Sequence, residues 1–179
     1  MGEIVAVVGP SGAGKDSLMR AAKREMPEIA IVQRVITRRN PDLSEDFICV
    51  SDEQFQERIN SGGFAVHWKA HGLNYGIPIE VHDTLATARI VLFNESRAAL
   101  ADAKIAFSGL KVVEVRADSS VIFARLSERA REDNDEIVSR LKRSASIPEG
   151  IDPYAIIENS GDFEAAASMF IQALKPLRG

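Results

Sequence analysis

The sequence predicts an α/β protein of three layers (αβα), with a mostly parallel sheet between helices and a phosphate-binding loop after the first strand. Three observations predict it. Short apolar, β-rich runs alternate with helical stretches along the chain, the pattern of parallel strands joined by crossover helices. The run Ile4-Val5-Ala6-Val7-Val8 leads directly into Gly9-Pro10-Ser11-Gly12-Ala13-Gly14-Lys15-Asp16 and then into the helical pattern Ser17-Leu18-Met19-Arg20-Ala21-Ala22, which is the strand–loop–helix context a P-loop requires. The length, 179 residues, suits one such domain with a full core.

Taken in order, Ile4–Val8 is the first strand and Gly14–Met26 the helix after it, ended by Pro27. Ala30–Ile36 is a second strand, leading into the basic turn Thr37-Arg38-Arg39-Asn40-Pro41. Phe47–Val50 is a short extended piece, and Ser51-Asp52-Glu53-Gln54 matches a capping box that opens a helix to Asn60. Ser61-Gly62-Gly63 breaks that helix. Phe64–Ala70 and Asn74–Gly76 are short strands around His71-Gly72, and Pro78–Ala88 is helical. Ile90–Phe93 is a buried strand followed by a helix through Ala103. Lys111–Val115 is a strand, with Ser119 or Ser120 capping a helix over Val121–Ala130. Asp133–Ala145 is a charged amphipathic helix, Tyr154–Ile157 the last strand and Phe163–Leu174 the last helix. The chain reads as one domain, with a β-rich acceptor-binding insertion over 47–77 and a polar lid over 131–148.

Composition narrows the function. The net charge of −4 argues against a general nucleic-acid surface, while basic residues gather at Arg34, Arg38 and Arg39 and again from Arg125 to Arg143, as suits small anionic ligands. Cys49 is the single cysteine, so no internal disulfide forms; a reducing, cytoplasmic setting is expected, with Cys49 packed in its apolar stretch. No apolar run reaches membrane-spanning length, and the N-terminus enters the P-loop strand without a signal-peptide pattern.

The octapeptide carries the chemistry. Small residues let the backbone wrap a polyphosphate, and the loop amides form an anion nest. The helix N-terminus adds partial positive charge and Lys15 a full one. ATP is the expected phosphate donor and Mg²⁺ the expected metal. The residue after the P-loop lysine is usually Ser or Thr, whose hydroxyl meets Mg²⁺. Here it is Asp16, followed by Ser17. Either Asp16 meets the metal as a hard oxygen ligand, or it complements the helix dipole while Ser17 or water serves the metal.

Phosphoryl transfer is catalysed largely by positioned cations. Arg125 and Arg129 share a helix face by i,i+4 spacing with Arg131 just beyond, and Arg140 shares a face of the next helix with Arg143 by i,i+3. Lys15, Arg125, Arg129 and Arg140 are therefore the candidate catalytic cations. Solvated arginines paired with Glu128, Glu132 and Glu136 are the bland alternative. Arg38, at the C-terminal end of a strand, is placed to fork onto an acceptor phosphate, and the Tyr75 phenol to donate to a phosphate oxygen. His67 and His71 lack metal-ligand partners at sensible spacing, which speaks against a zinc site and leaves either as a candidate polar substrate contact.

Along nearly the whole chain the P-loop, Thr37-Arg38, Phe64 through His71-Gly72-Leu73-Asn74-Tyr75-Gly76, Arg125-Leu126 with Arg129 and Arg131, and Arg140-Leu141 resemble the guanylate kinases. That resemblance implies a P-loop NTPase fold of guanylate-kinase-like form, with an acceptor-binding insertion, an arginine-bearing helical lid and Asn159 near the adenine. The acceptor positions depart from guanylate kinase. Val66 stands where a glutamate reads guanine, Ile77 where a hydroxyl residue follows Tyr-Gly, and Asn94 where an aspartate is expected. Each guanine donor left unpaired on burial costs roughly 1–3 kcal/mol.

Gly14-Lys15-Asp16-Ser17, Ile36-Thr37-Arg38 with Glu45, Trp68 and His71 before Gly72, Tyr75-Gly76, and Asn94 with Ser96-Arg97 are similar to the ribose 1,5-bisphosphate phosphokinases of bacterial phosphonate breakdown. This resemblance implies transfer of the ATP γ-phosphoryl to the 1-phosphate of ribose 1,5-bisphosphate, giving 5-phosphoribosyl 1-diphosphate. It places Arg38, Glu45, His71, Tyr75 and Asn94 at the acceptor. Arg39, Lys69, His67, His71 and Arg97 are the candidates to anchor the 5-phosphate. A guanylate or other nucleoside monophosphate kinase is the nearest rival reading, and a catalytically inert scaffold the rival from another class. The intact Lys15 and the arginines speak against the scaffold.

Overall fold

The structure, a computed structural model, describes residues 2–38, 47–70, 72–128 and 147–178. The expected residues Arg39, Glu45, His71, Arg129, Arg131, Arg140 and Arg143, and the lid apart from its last two positions, lie outside the described residues.

The first strand, β1 (Glu3–Val8), is buried along nearly its whole length, which is why it is a continuous apolar run and not an alternating one. It lies at the centre of a five-stranded, all-parallel sheet with β2 (Ile29–Val32), β7 (Ile90–Asn94), β8 (Lys111–Arg116) and β9 (Ala155–Glu158), in the order β2-β7-β1-β8-β9. A second, four-stranded sheet has the order β4-β3-β6-β5, from β3 (Arg34–Ile36), β4 (Phe47–Cys49), β5 (Phe64–Ala70) and β6 (Leu73–Pro78).

Two apolar layers flank the parallel sheet. On one face Val5, Val7, Leu92 and Val113 pack against α1 (Lys15–Glu25) and, through Ala167, Phe170 and Leu174, against the last α-helix, α6 (Phe163–Leu174). On the other face Ala6, Val8, Val91 and Phe93 meet Val81 and Leu85 of α3 (Val81–Thr87) and Leu100 and Ala103 of α4 (Leu100–Ala106), together with Val66 and Ile77 of the second sheet. The second sheet thus takes part of the place of a covering helix. Between these elements, α2 (Asp52–Asn60) closes the second sheet, with Phe55 stacked on Phe64 at 4.6 Å, and α5 (Ser119–Glu128) follows β8.

Several expectations are corrected. Ala30–Ile36 is not one strand: it divides at the exposed Gln33 into β2, in the parallel sheet, and β3, in the second sheet. An apolar run carries no mark of which sheet each half joins. The second sheet therefore begins at Arg34, before Phe47. Pro78 ends β6 opposite Phe64, so the helix expected from Pro78 starts only at Val81. Cys49 is exposed, not packed. The helix expected from Val121 starts at Ser119, with the Asp118 carbonyl accepting from the Ile122 amide. The capping box at Ser51 is present as expected: Ser51 Oγ accepts from the Gln54 amide and Gln54 Oε1 from the Ser51 amide.

Candidate functional site

β1 delivers the chain to the carboxyl edge of the sheet, between β7 and β8, where connections leave toward both sides and ligands of open α/β sheets bind. The loop there is tightly enclosed. A Cβ on Gly9 would stand 2.2 Å from the Val115 carbonyl oxygen, and one on Gly14, at φ 90°, 2.4 Å from Asn159 Nδ2. Only glycine satisfies either position. Lys15 Nζ donates to the carbonyls of Gly9 and Pro10, both at 2.9 Å, so the ammonium lies across the loop it belongs to. Pro10, Gly12 and Gly14 are partly exposed, Ser11 exposed and Ala13 buried.

The loop is held from behind. Asn159, 1% exposed, donates through Nδ2 to the Ala13 carbonyl at 2.7 Å. Arg125 Nη2 donates to the Asn159 carbonyl at 2.9 Å, and Arg125 Nη1 lies 3.8 Å from the position of a Gly14 Cβ. Among the described residues, Arg125 Nη1 and Asn159 Oδ1 are both buried without a hydrogen-bond partner. The structure thus places both residues against the loop itself: Asn159, expected near the adenine, spends its amide N–H on the loop backbone.

Asp16 and Ser17 occupy the first turn of α1, Asp16 partly buried and Ser17 exposed. Asn94 Nδ2 donates to Asp16 Oδ1 at 3.1 Å. The strand end that the sequence assigns to the acceptor therefore reaches the donor helix. Among the described residues no three His, Cys, Asp or Glu gather as a metal cage. One carboxylate and one hydroxyl beside a phosphate loop are nonetheless the donor set that Mg²⁺ takes, since it fills its shell with phosphate oxygens and water.

Arg38 and Tyr75, expected at the acceptor, lie at the second sheet. Thr37, 7% exposed, clasps β6: its amide donates to the Asn74 carbonyl at 3.1 Å, and its Oγ1 accepts from the Asn74 amide at 2.9 Å. That clasp fixes Arg38, whose guanidinium lies 5.9 Å from the Phe47 ring centre. Tyr75 stacks on Trp68 (5.5 Å, 10° between planes), and the Arg34 guanidinium lies 5.7 Å from its ring centre. Arg34 is half-buried. Gly76 answers to packing, since a Cβ would stand 2.5 Å from the Phe64 ring. His67 and Lys69 point outward on β5. Arg97 lies 3.7 Å from Glu114, which also pairs with Arg116 at 2.7 Å, and burial lowers the Arg97 pKa. Val66 and Ile77, at 5% and 0% exposure, belong to the core layer, which by itself calls for apolar side chains at both positions.

Glu95 was missed by the sequence reading. It is 2% exposed at the carboxyl end of β7, where its amide continues the ladder by donating to the Val7 carbonyl at 3.0 Å. Oε1 accepts from the Ser96 amide at 2.7 Å, while Oε2 has no hydrogen-bond partner among the described residues. Burial raises its pKa to about 8, against the lowering effect of the Ser96 amide and the Arg34 charge. A glutamate following Phe93-Asn94 reads as an ordinary strand-end residue; only the packing reveals it.

No family model matches the chain. Two relatives decide the family. The ribose 1,5-bisphosphate phosphokinase PhnN of Ruegeria sp. is 43% identical over 176 residues, covering 96% of this chain and 93% of that protein. The protein of the same name from Acidiphilium cryptum is 44% identical, covering 97% and 92%. This chain belongs to the ribose 1,5-bisphosphate phosphokinase family. A further phosphokinase of that name, from Agrobacterium fabrum, is 40% identical over 98% of each chain. Among solved structures, a guanylate kinase from Anaplasma phagocytophilum superposes with a TM-score of 0.68 at 16% identity, over 99% of this chain and 86% of that one. A gluconokinase from Sinorhizobium meliloti does so with a TM-score of 0.57 at 16% identity, over 99% and 93%. At that identity the two establish the fold, a P-loop α/β fold of guanylate-kinase form. The expected fold class and family both hold.

Proposed function

We propose that this phosphokinase transfers the γ-phosphoryl group of ATP to the 1-phosphate of ribose 1,5-bisphosphate, yielding ADP and 5-phosphoribosyl 1-diphosphate. The observation that carries this reading is full-length similarity, at 43% identity over 96% of the chain, to a protein bearing that name. The loop geometry supports the donor half. With ATP bound, the loop amides and Lys15 would hold the β- and γ-phosphates, Lys15 turning from the Gly9 and Pro10 carbonyls to the nucleotide. Mg²⁺, held at Asp16 or Ser17, would neutralise phosphate charge. Arg38 and Tyr75 would receive the acceptor phosphate. Arg125, by holding Asn159 against Ala13, keeps the loop in shape, and Arg129 and Arg140 would neutralise the moving phosphoryl group.

An oxygen of the 1-phosphate attacks the γ-phosphorus, the bond from that phosphorus to the β–γ bridging oxygen breaks, and ADP departs. The attacking oxygen is already ionised near neutral pH, so no side-chain base is required. The proposed substrates are small anions, with no nucleic acid, and the proposed setting is the cytoplasm. Among the described residues no helix is long and apolar enough to cross a membrane.

The test is ATP consumption measured in parallel with ribose 1,5-bisphosphate, with GMP and with no acceptor. Turnover with the bisphosphate alone is expected. Turnover with GMP alone would reassign the acceptor, and none with any acceptor would favour a binding scaffold.

A further inference from the structure

We propose that Glu95 selects the acceptor's sugar, with its unpartnered Oε2 meeting a ribose hydroxyl. The inference rests on the phosphokinase reading above and deepens it.

Position comes first. Side chains alternate along β7, so Asn94 falls on the α1 side, where it meets Asp16, and Glu95 falls on the opposite side with Val91 and Phe93. That is the side covered by Val66 and Ile77 of the second sheet. Two charged groups from other elements act on Glu95: Arg34 on β3, whose guanidinium lies over Tyr75, and Asp102 on α4. Glu95 therefore stands between the donor loop and the sheet that carries Arg34, Trp68, Arg38 and Tyr75.

Chemistry comes second. A buried carboxyl oxygen without a partner is unfavourable, and the core cluster on that face of the sheet is built of apolar side chains. Packing alone does not call for a glutamate. A bisphosphate brings several negative charges, which an ionised carboxyl beside it would repel. Kept protonated by burial, the same group adds no charge and can donate to or accept from a hydroxyl. Phosphates are the business of the cations around it; the part of the acceptor left for Glu95 is the uncharged ring between the phosphates.

The experiment compares ribose 1,5-bisphosphate with its 2-deoxy and 3-deoxy analogues on the wild-type chain, Glu95→Gln and Glu95→Leu. The wild type should lose about tenfold or more in kcat/KM for at least one analogue, because a site that pairs a hydroxyl is left with an unmet polar group when the hydroxyl is gone. Glu95→Gln should keep most of that discrimination. Glu95→Leu should treat ribose and deoxyribose forms alike within about twofold. Unchanged discrimination in Glu95→Leu would overturn the proposal, as would a lowered melting temperature in both variants, which would make Glu95 a structural residue. A wild type inactive on the ribose form but active on GMP would instead defeat the phosphokinase reading itself, and this inference with it.

Discussion

At the donor loop the constraints fall on the backbone; at the acceptor face they fall on side chains. Gly9 and Gly14 are fixed by contacts of 2.2 and 2.4 Å that any Cβ would make, and Ala13 is gripped through its carbonyl by Asn159. Any nucleoside triphosphate offers such a loop the same phosphates. The second sheet is organised differently: its polar and aromatic groups, Arg34, Thr37, Arg38, Trp68 and Tyr75, come from three strands and meet only after β3 and β5 have both paired with β6. The difference teaches that a loop recognising phosphate through its backbone can stay the same while neighbouring side chains decide what is phosphorylated.

The sharpest way to break that contrast is at Lys15. Lys15→Ala should lower kcat by about 10³-fold, read by steady-state kinetics, because it removes the cation proposed to hold the β- and γ-phosphates. Its melting temperature should stay close to the wild type's, since the Gly9 and Pro10 carbonyls that the lysine meets belong to a partly exposed loop. Near-normal turnover would contradict the donor assignment.

On the acceptor side, Glu95 gives a signature in pH. Its folded pKa, about 8, lies above its ordinary 4.5, so the folded state holds a proton the unfolded state has released between those values. Wild-type stability should fall relative to Glu95→Gln as pH rises from about 5 to about 8, and the gap should level off above that. Denaturant melts at several pH values measure it; a pH-independent gap would mean an ionised Glu95.

Asn159→Leu probes the grip on the loop. It should cost about 1–3 kcal/mol in chemical denaturation, since the Ala13 carbonyl loses its buried donor, and should weaken ATP binding more than acceptor binding. The smallest expected effect is at Asp16. Asp16→Ala should raise the Mg²⁺ concentration for half-maximal rate several-fold; an unchanged requirement would leave the metal to Ser17 and water.

The same contrast explains what the sequence discloses. The strand, octapeptide and helix are contiguous, so the loop, its glycines and its lysine are legible at once, and so is the capping box at Ser51. The alternation of strands and helices is equally local. What escapes is whatever depends on which distant surfaces meet. The run Ala30–Ile36 looks continuous although Gln33 hands it from one sheet to the other. Val66 and Ile77 look like lost guanine contacts and are also core residues of the layer under the second sheet. Asn94 and Glu95 are adjacent, and only the sheet's two faces separate them into a partner of Asp16 and a buried carboxyl with one open oxygen. Arg125 reads as a cation for the phosphoryl group and is found bracing the loop through Asn159.

A generic phosphate loop here would serve an acceptor that is a phosphorylated sugar. The most direct measurement is phosphorus NMR of the products formed from ATP and ribose 1,5-bisphosphate. ADP and a new diphosphate on carbon 1 are expected, with the 5-phosphate resonance retained as a monoester. A diphosphate on carbon 5, or an unchanged bisphosphate beside conversion of added GMP to GDP, would contradict that reading.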